Sequence, residues 1–232
     1  MSNKPLKKSE QEISWRNKKR KKRKKINPEY HLIICEGTKT EPKYFQKLKE
    51  EINQKYSERL QVQIEPSGKG RFEALKEAQQ HVKKSLNHIS YVWLVYDKDD
   101  FPKDEFDNVY FKCKHINEIN EELPECDLKT YYYALWSNEC IEFWFLLHFI
   151  DLKSDIQRTK YISKLNEQYA INKVGRYSKS SDNTYEILRS RLDVAIERAK
   201  KIIEENKDIP PSKIKPGTMV HLIFEKLKKY LE

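Results

Sequence analysis

The chain is poor in the residues that mark loose or specialised architectures. Its 232 residues include only 5 Gly and 9 Pro, which excludes a low-complexity or collagen-like chain. No apolar run reaches the length of a membrane span; the longest strong one, residues 141–150, is too short and contains Glu142. The first residues hold no apolar segment of the kind a secretory signal needs, so a cytoplasmic protein without a membrane anchor is the expectation. Cys35, Cys113, Cys126 and Cys140 form no CxxC pair and have no His at zinc-finger spacing. They are expected to be reduced core thiols. The hydrophobic share is low, at 38%, but aromatics make up 12% and supply the bulk for a core.

Charge of one sign is concentrated in one place. The net charge is +10, and the first 25 residues hold 12 Lys and Arg against 2 acids. Of the totals of 46 basic and 36 acidic residues this leaves 34 of each, so the rest of the chain is balanced. The centre of the tail is Arg16, Lys18, Lys19, Arg20, Lys21, Lys22 and Arg23, followed by Lys24 and Lys25. Like charges at this density keep a segment disordered until it meets a polyanion. A nucleic-acid arm held by counterion release is one reading and a solubilising tail the other. Trp15 beside the run, able to stack on a base, favours the arm.

The stretch around which the chain is organised is Tyr91-Val92-Trp93-Leu94-Val95-Tyr96-Asp97-Lys98-Asp99-Asp100. A continuous apolar run rich in Val and aromatics reads as a buried strand. Three carboxylates in the four positions at its end repel one another and persist where a cation sits among them, most simply a divalent metal. If the strand geometry continued, Asp97 and Asp99 would project to the same side. A solvated acidic turn is the alternative. Ligands of open α/β sheets bind at the carboxyl ends of the strands, which is where these residues fall.

Tyr30 to Cys35 is a second apolar run, and it also stops at a carboxylate, Glu36. Gly37 follows, then Thr38-Lys39-Thr40-Glu41-Pro42, in which Thr38 and Glu41 have capping-box spacing and Pro42 suits a first helical turn. Phe45, Leu48 and Ile52 then recur at helical intervals. The unit reads strand, Glu, Gly turn, helix. A helix N-terminus after Glu36 offers N–H groups to a phosphate, with Gly37 in the turn and Lys39 within reach of the same anion. An ordinary capped turn is the plainer reading.

Further on, residues 61–65 read as a strand. Pro66 to Arg71 reads as a flexible basic loop, and Phe72, Leu75, Val82 and Leu86 as the apolar stripe of a helix. Phe106, Val109, Cys113 and Ile116 suggest a helix ending before Pro124. Thr130 to Trp136 is a fourth strand-like run. It delivers Ser137 and Asn138, good N-cap residues, to an apolar helix that carries Glu142. A carboxylate in so apolar a helix needs a cation, a metal or a hydrogen-bond donor. His148 reads as a core or surface histidine. Beyond Asp151 the apolar strands stop. Tyr185, Leu188, Leu192, Ile196, Ala199 and Ile203 describe one long amphipathic helix, and Val220 to Leu227 a last one. The polar stretch 173–183 between helices has the character of a loop able to close over a site. Strands alternating with helices, then helices alone, predict an α/β fold: a Rossmannoid parallel sheet of about four strands flanked by helices, with a helical C-terminal extension.

Four blocks carry a family resemblance: Glu36 to Phe45, Asp97-Lys98-Asp99-Asp100, Ser137 to Phe149, and Lys215-Pro216-Gly217-Thr218-Met219-Val220-His221. Glu36 after the first strand and Asp97-x-Asp99 after the third match the two signature motifs of the TOPRIM domain. Within that superfamily the chain resembles the RloB-like family over residues 31–221. Two positions depart from the family's pattern, Glu139 where members usually show Pro and Lys215 where they show Asn; neither belongs to the acidic triad.

With the charge run and the helical pattern beyond Asp151, the chain divides into a disordered basic arm over 1–28, a catalytic domain over 29–150 that the resemblance makes TOPRIM-like, and a helical extension over 151–232 packed on it. The resemblance implies Mg²⁺-dependent (or Mn²⁺-dependent) phosphodiester chemistry on DNA or RNA. Glu36 would be the general acid or base or a metal ligand, Asp97 and Asp99 would hold the metal, and Asp100 and Glu142 would be further ligands. By analogy with its relatives, the protein would be an anti-phage, abortive-infection effector encoded with an ATPase partner. Homo-oligomerisation is left open. The rival reading from another class is a non-catalytic nucleic-acid-binding or regulatory module that keeps an acidic pocket. Nucleotidyl transfer and a phosphate-accepting receiver domain are weaker fits, the first without a zinc-binding domain and the second without a late Lys after a strand.

Overall fold

Strands buried on both faces must be apolar at every position, and the two longest apolar runs form the middle of a sheet. In the computed structural model, which describes residues 28–68, 70–99, 103–125 and 127–232, β1 spans Glu29–Cys35 and β3 spans Ile89–Asp97. Leu32 to Cys35 and Val92 to Tyr96 are all buried, and the two strands pair in parallel with Cys35 opposite Val95. The strand β2 (Leu60–Pro66) lies on the other side of β1, and β4 (Tyr131–Asn138) on the other side of β3, both parallel. The order is β2-β1-β3-β4-β5, an open Rossmann-like sheet. Its order reverses between β1 and β3, and a crevice opens at such a switch point, outside the carboxyl ends of the strands. The arm residues Arg16 to Arg23, Trp15, Asp100 and Cys126 lie outside the described residues.

The crossovers are α1 (Thr40–Tyr56), α2 (Arg71–Lys84) and α3 (Lys103–Glu122). α3 sets Phe106 edge-on against Tyr96 and Trp136, which share one face of the sheet. After β4 come α4 (Glu142–Leu147), α5 (Arg158–Ile171), α6 (Thr184–Arg189), α7 (Leu192–Glu205) and α8 (His221–Leu227). Tyr44 and Phe45 of α1, Trp144 and Phe145 of α4, and Phe224 of α8 form one aromatic cluster, with Trp144 Nε1 donating to Tyr44 Oη at 3.0 Å. This cluster ties the C-terminal helices to the first crossover. Burying rings of this size contributes about 2–3 kcal/mol each against exposure.

Five local expectations are corrected. A fifth strand, β5 (Gly217–Thr218), follows residue 151 and adds antiparallel to the end of β4. Two residues carry no period, so no pattern could announce it. Ser137 and Asn138 end β4 instead of capping α4, whose N-cap is Ile141. Asn138, fully buried, donates to the carbonyls of Pro211, Ser212 and Ile214 at 2.9–3.2 Å, fastening the turn that leads into β5. The long helix expected over 185–203 is two helices, broken at residues 190–191. Arg189 is held by Glu51 of α1 and by the Leu231 carbonyl, while Arg191 donates to Asn172. Leu86 lies beyond the end of α2 and is fully exposed. Finally, α1 starts at Thr40 with Lys39 at its N-cap and no side-chain cap, so Thr38 and Glu41 form no capping box.

Candidate functional site

The two central strands run into acids at the crevice, Glu36 just after β1 and Asp97 at the end of β3. Glu36 leaves β1, its N–H still donating to the Val95 carbonyl at 2.9 Å, so the chain stays beside β3 for one more residue. Asp97 closes β3 opposite Ser137 of β4. The strand geometry does not continue to Asp99, which has a left-handed φ of 44°, a conformation Asp tolerates better than most side chains. Asp99 reaches the crevice through this bend instead of strand alternation. Glu142 enters from the first residue of α4.

Together these residues line one cavity of about 300 Å³ with Gly37, Lys39, Glu41, Arg158 and Lys179. Glu36, Gly37, Lys39, Asp97, Asp99 and Glu142, chosen from sequence, are therefore neighbours in space; Asp100 is not described. Glu41 is a fifth carboxylate that sequence reasoning assigned to a cap. Its carboxyl instead folds over Gly37, where a Cβ would stand 2.3 Å from Glu41 Oε2. Glycine at position 37 is what lets that side chain into the pocket.

Burial and mutual repulsion dominate the electrostatics. Asp97 is 7% exposed and its Oδ1 has no hydrogen-bond partner. Desolvation, then the charges of Glu41, Glu142 and Asp99, push its carboxyl well above the usual range. Glu36 is raised by burial, opposed by the Arg71 guanidinium 3.7 Å from Oε1 and reinforced by Asp99. Glu41 is raised by burial and by Glu142 and Asp99.

In the sequence, Arg71 reads as part of a flexible basic loop. It is the first residue of α2, buried against the Tyr96 and Phe106 rings at 5.8 and 5.7 Å. Lys69 of that loop lies outside the described residues, and Gly68 donates to the Glu36 carbonyl at 3.2 Å.

The second half of the chain supplies the remaining cations. Arg158, at the start of α5, is ion-paired with Asp99. Lys179 lies 3.3 Å from Glu142 Oε1, which also accepts from Tyr177 Oη at 3.1 Å. Both residues belong to the loop 173–183, which is pinned to α1: Thr40 Oγ1 donates to the Lys179 carbonyl at 3.2 Å and Lys43 Nζ to the Ser180 carbonyl at 2.6 Å. No periodic or motif signal in the sequence pointed to Arg158 or Lys179. His148 is buried, Nδ1 meeting the Trp144 carbonyl at 3.0 Å, and is no part of the pocket. The two positions that depart from the family pattern meet at the end of β4, Lys215 Nζ lying 3.1 Å from Glu139 Oε1.

The donor set is all carboxylate oxygen, the preference of a hard divalent cation, and Asp97 offers it a buried oxygen without a partner. In the present arrangement, among the described residues, no three His, Cys, Asp or Glu side chains are grouped closely enough to hold a metal ion. Glu36, Asp99 and Glu142 face Arg71, Arg158 and Lys179 instead.

A family model described as RloB-like protein matches residues 31–227, and so β1 through α8. No curated protein and no solved structure matches the chain.

Proposed function

The chain belongs to the RloB-like protein family, and on that premise we propose that it is a divalent-metal-dependent nuclease that cleaves nucleic acid phosphodiesters. The observation that carries this reading is the meeting of five acids, from three separate stretches of the chain, in one crevice around a buried and unpartnered Asp97 oxygen. Arg71, Arg158 and Lys179 offset Glu36, Asp99 and Glu142, but among the described residues no ion pair reaches the buried Asp97, and a bound cation would offset that cost. Asp97, Asp99 and Glu36 would hold Mg²⁺ or Mn²⁺, with Glu142 and Asp100 as further ligands. Such an ion, when bound, supplies an activated water and offsets charge on the phosphate.

The chain's own groups divide the remaining work. Glu36, whose carboxyl is raised by burial, serves as the general acid or base where it is not itself a metal ligand. Lys39 and the N–H groups that begin α1 bind the scissile phosphate. The arm Arg16 to Arg23 adds affinity for DNA or RNA without sequence preference. From the family resemblance the biological setting is anti-phage defence, with an ATPase partner that directs or restrains the nuclease. Co-purification of the protein with that ATPase tests the partnership.

A second reading, a non-catalytic nucleic-acid-binding or regulatory module, draws on the ion pairs that occupy the carboxylates. One experiment separates the two. The purified protein is incubated with plasmid DNA, single-stranded DNA and tRNA, with Mg²⁺, with Mn²⁺ and with EDTA. Metal-dependent cleavage of one of these, lost in Asp97→Ala, is the expected outcome. Binding without cleavage, together with no calorimetric uptake of Mg²⁺ or Mn²⁺, replaces the nuclease with the module.

A further inference from the structure

Arg158 and Lys179 stand where they obstruct the chemistry proposed above. Each neutralises a carboxylate that a metal would need, and neither lies on the elements that carry the acids. Arg158 comes from the start of α5 and is ion-paired with Asp99; Lys179 comes from the loop 173–183 and sits 3.3 Å from Glu142 Oε1. Both remain partly open to solvent, at 40% and 48% of the side chain. The carboxylates they hold are more enclosed, Glu142 at 2%. Glu142 is thus a buried acid paired with a half-exposed cation, while Asp99, at 28%, is half-buried and only moderately more enclosed than Arg158.

We propose that these two side chains are exchangeable cations. They hold Asp99 and Glu142 while the pocket has no metal, and they move to the substrate's phosphate when a divalent ion takes the carboxylates. This rests on the nuclease reading, since a phosphodiester is the anion to which they transfer. The charge count favours it. With all five carboxylates ionised, as a bound metal would have them, they exceed Arg71, Arg158, Lys179 and Lys39 by one negative charge. A divalent ion reverses that balance and leaves the two released side chains without anions. An incoming phosphate restores the balance and supplies what they lack. The exchange needs side-chain rotation alone: the Lys179 carbonyl is held by Thr40, and Ser180 and Asp182 by Lys43, so the loop stays on α1. Metal and nucleic acid then bind cooperatively, because each removes a competitor of the other.

The test uses the full chain and Mn²⁺ alone as the first probe. Calorimetric Mn²⁺ affinity is measured without nucleic acid for the wild type, Arg158→Gln, Lys179→Gln and Arg158→Lys. Lys160→Gln, which removes an exposed cation nearby that lines no part of the pocket, is the control for overall charge. Removing a competitor raises affinity, so the two Gln variants are expected to bind Mn²⁺ about fivefold tighter or more, with Arg158→Lys and Lys160→Gln near wild type. Their affinity for a short single-stranded oligonucleotide in Ca²⁺, read by fluorescence anisotropy, is expected to fall by a similar factor. Unchanged or weaker Mn²⁺ binding in both Gln variants, with normal binding by the wild type, overturns the exchange and leaves the nuclease reading standing. No Mn²⁺ uptake by any of the five proteins overturns both.

Discussion

Asp97→Asn should make the metal-free protein more stable. Asp97 is 7% exposed, its Oδ1 has no partner, and Glu41, Glu142 and Asp99 all act against its charge. The Asp97 carboxyl accepts a hydrogen bond from the Ile141 N–H, and an asparagine carbonyl retains that contact. The amide keeps the shape of the side chain, removes the charge and turns two donors toward the remaining carboxylates. A buried polar group without its partner costs about 1–3 kcal/mol, so relief of that cost sets the expected gain. For a chain of this size each kcal/mol moves the midpoint by about 2–4 °C, giving a rise of roughly 2–12 °C in EDTA. Mg²⁺ at a hundred times its Kd should stabilise the wild type by about 2.7 kcal/mol and the variant far less. The order of the two melting curves then narrows or reverses when metal is added. Differential scanning calorimetry with EDTA and with Mg²⁺ measures both. A variant that melts below the wild type in EDTA refutes the argument, because it would mean that the ionised carboxylate is already compensated.

Asn138→Ala removes the buried donor shared by three carbonyls and should cost about 2–4 kcal/mol, seen as a lower urea midpoint with an unchanged m-value; no loss would mean that the turn into β5 holds itself. His221 is 3% exposed and burial lowers its pKa to about 4, as burial lowers that of His148 to about 3. Below an ordinary histidine pKa the unfolded chain takes protons that the folded chain refuses. Their contribution is therefore full above about pH 6.5 and is lost toward pH 4, at about 1.4 kcal/mol per pH unit for each ring. His221→Gln should flatten the pH dependence of unfolding between pH 6 and 5 by that amount, and parallel curves would refute it. Deleting residues 1–25 takes away 12 Lys and Arg and should lower nucleic-acid affinity and reduce the salt slope by at most about 11; an unchanged slope would make the arm a solubilising tail.

The sequence by itself determined the inner strands and the acids at their ends. A strand covered on both faces needs an unbroken apolar run, and the run over 91–96 ends at Asp97 just as the chain leaves the sheet. Family membership was legible in part for the same reason: of the four blocks that carry it, three begin at or beside the ends of inner strands, and the fourth covers the turn through β5 into α8. Tertiary structure alone decided which groups complete the pocket. Glu41 had helix-cap spacing, but it turns inward because Gly37 leaves room for it. Arg71 looked like a loop cation and is a buried counterion to Glu36. Arg158 reaches Asp99 from 59 positions further along the chain and Lys179 reaches Glu142 from 37, and β5 pairs through two residues that follow a turn fastened by Asn138. Local sequence records burial and periodicity, because both act between near neighbours. Charge pairing acts across space, and only the folded chain brings the partners together.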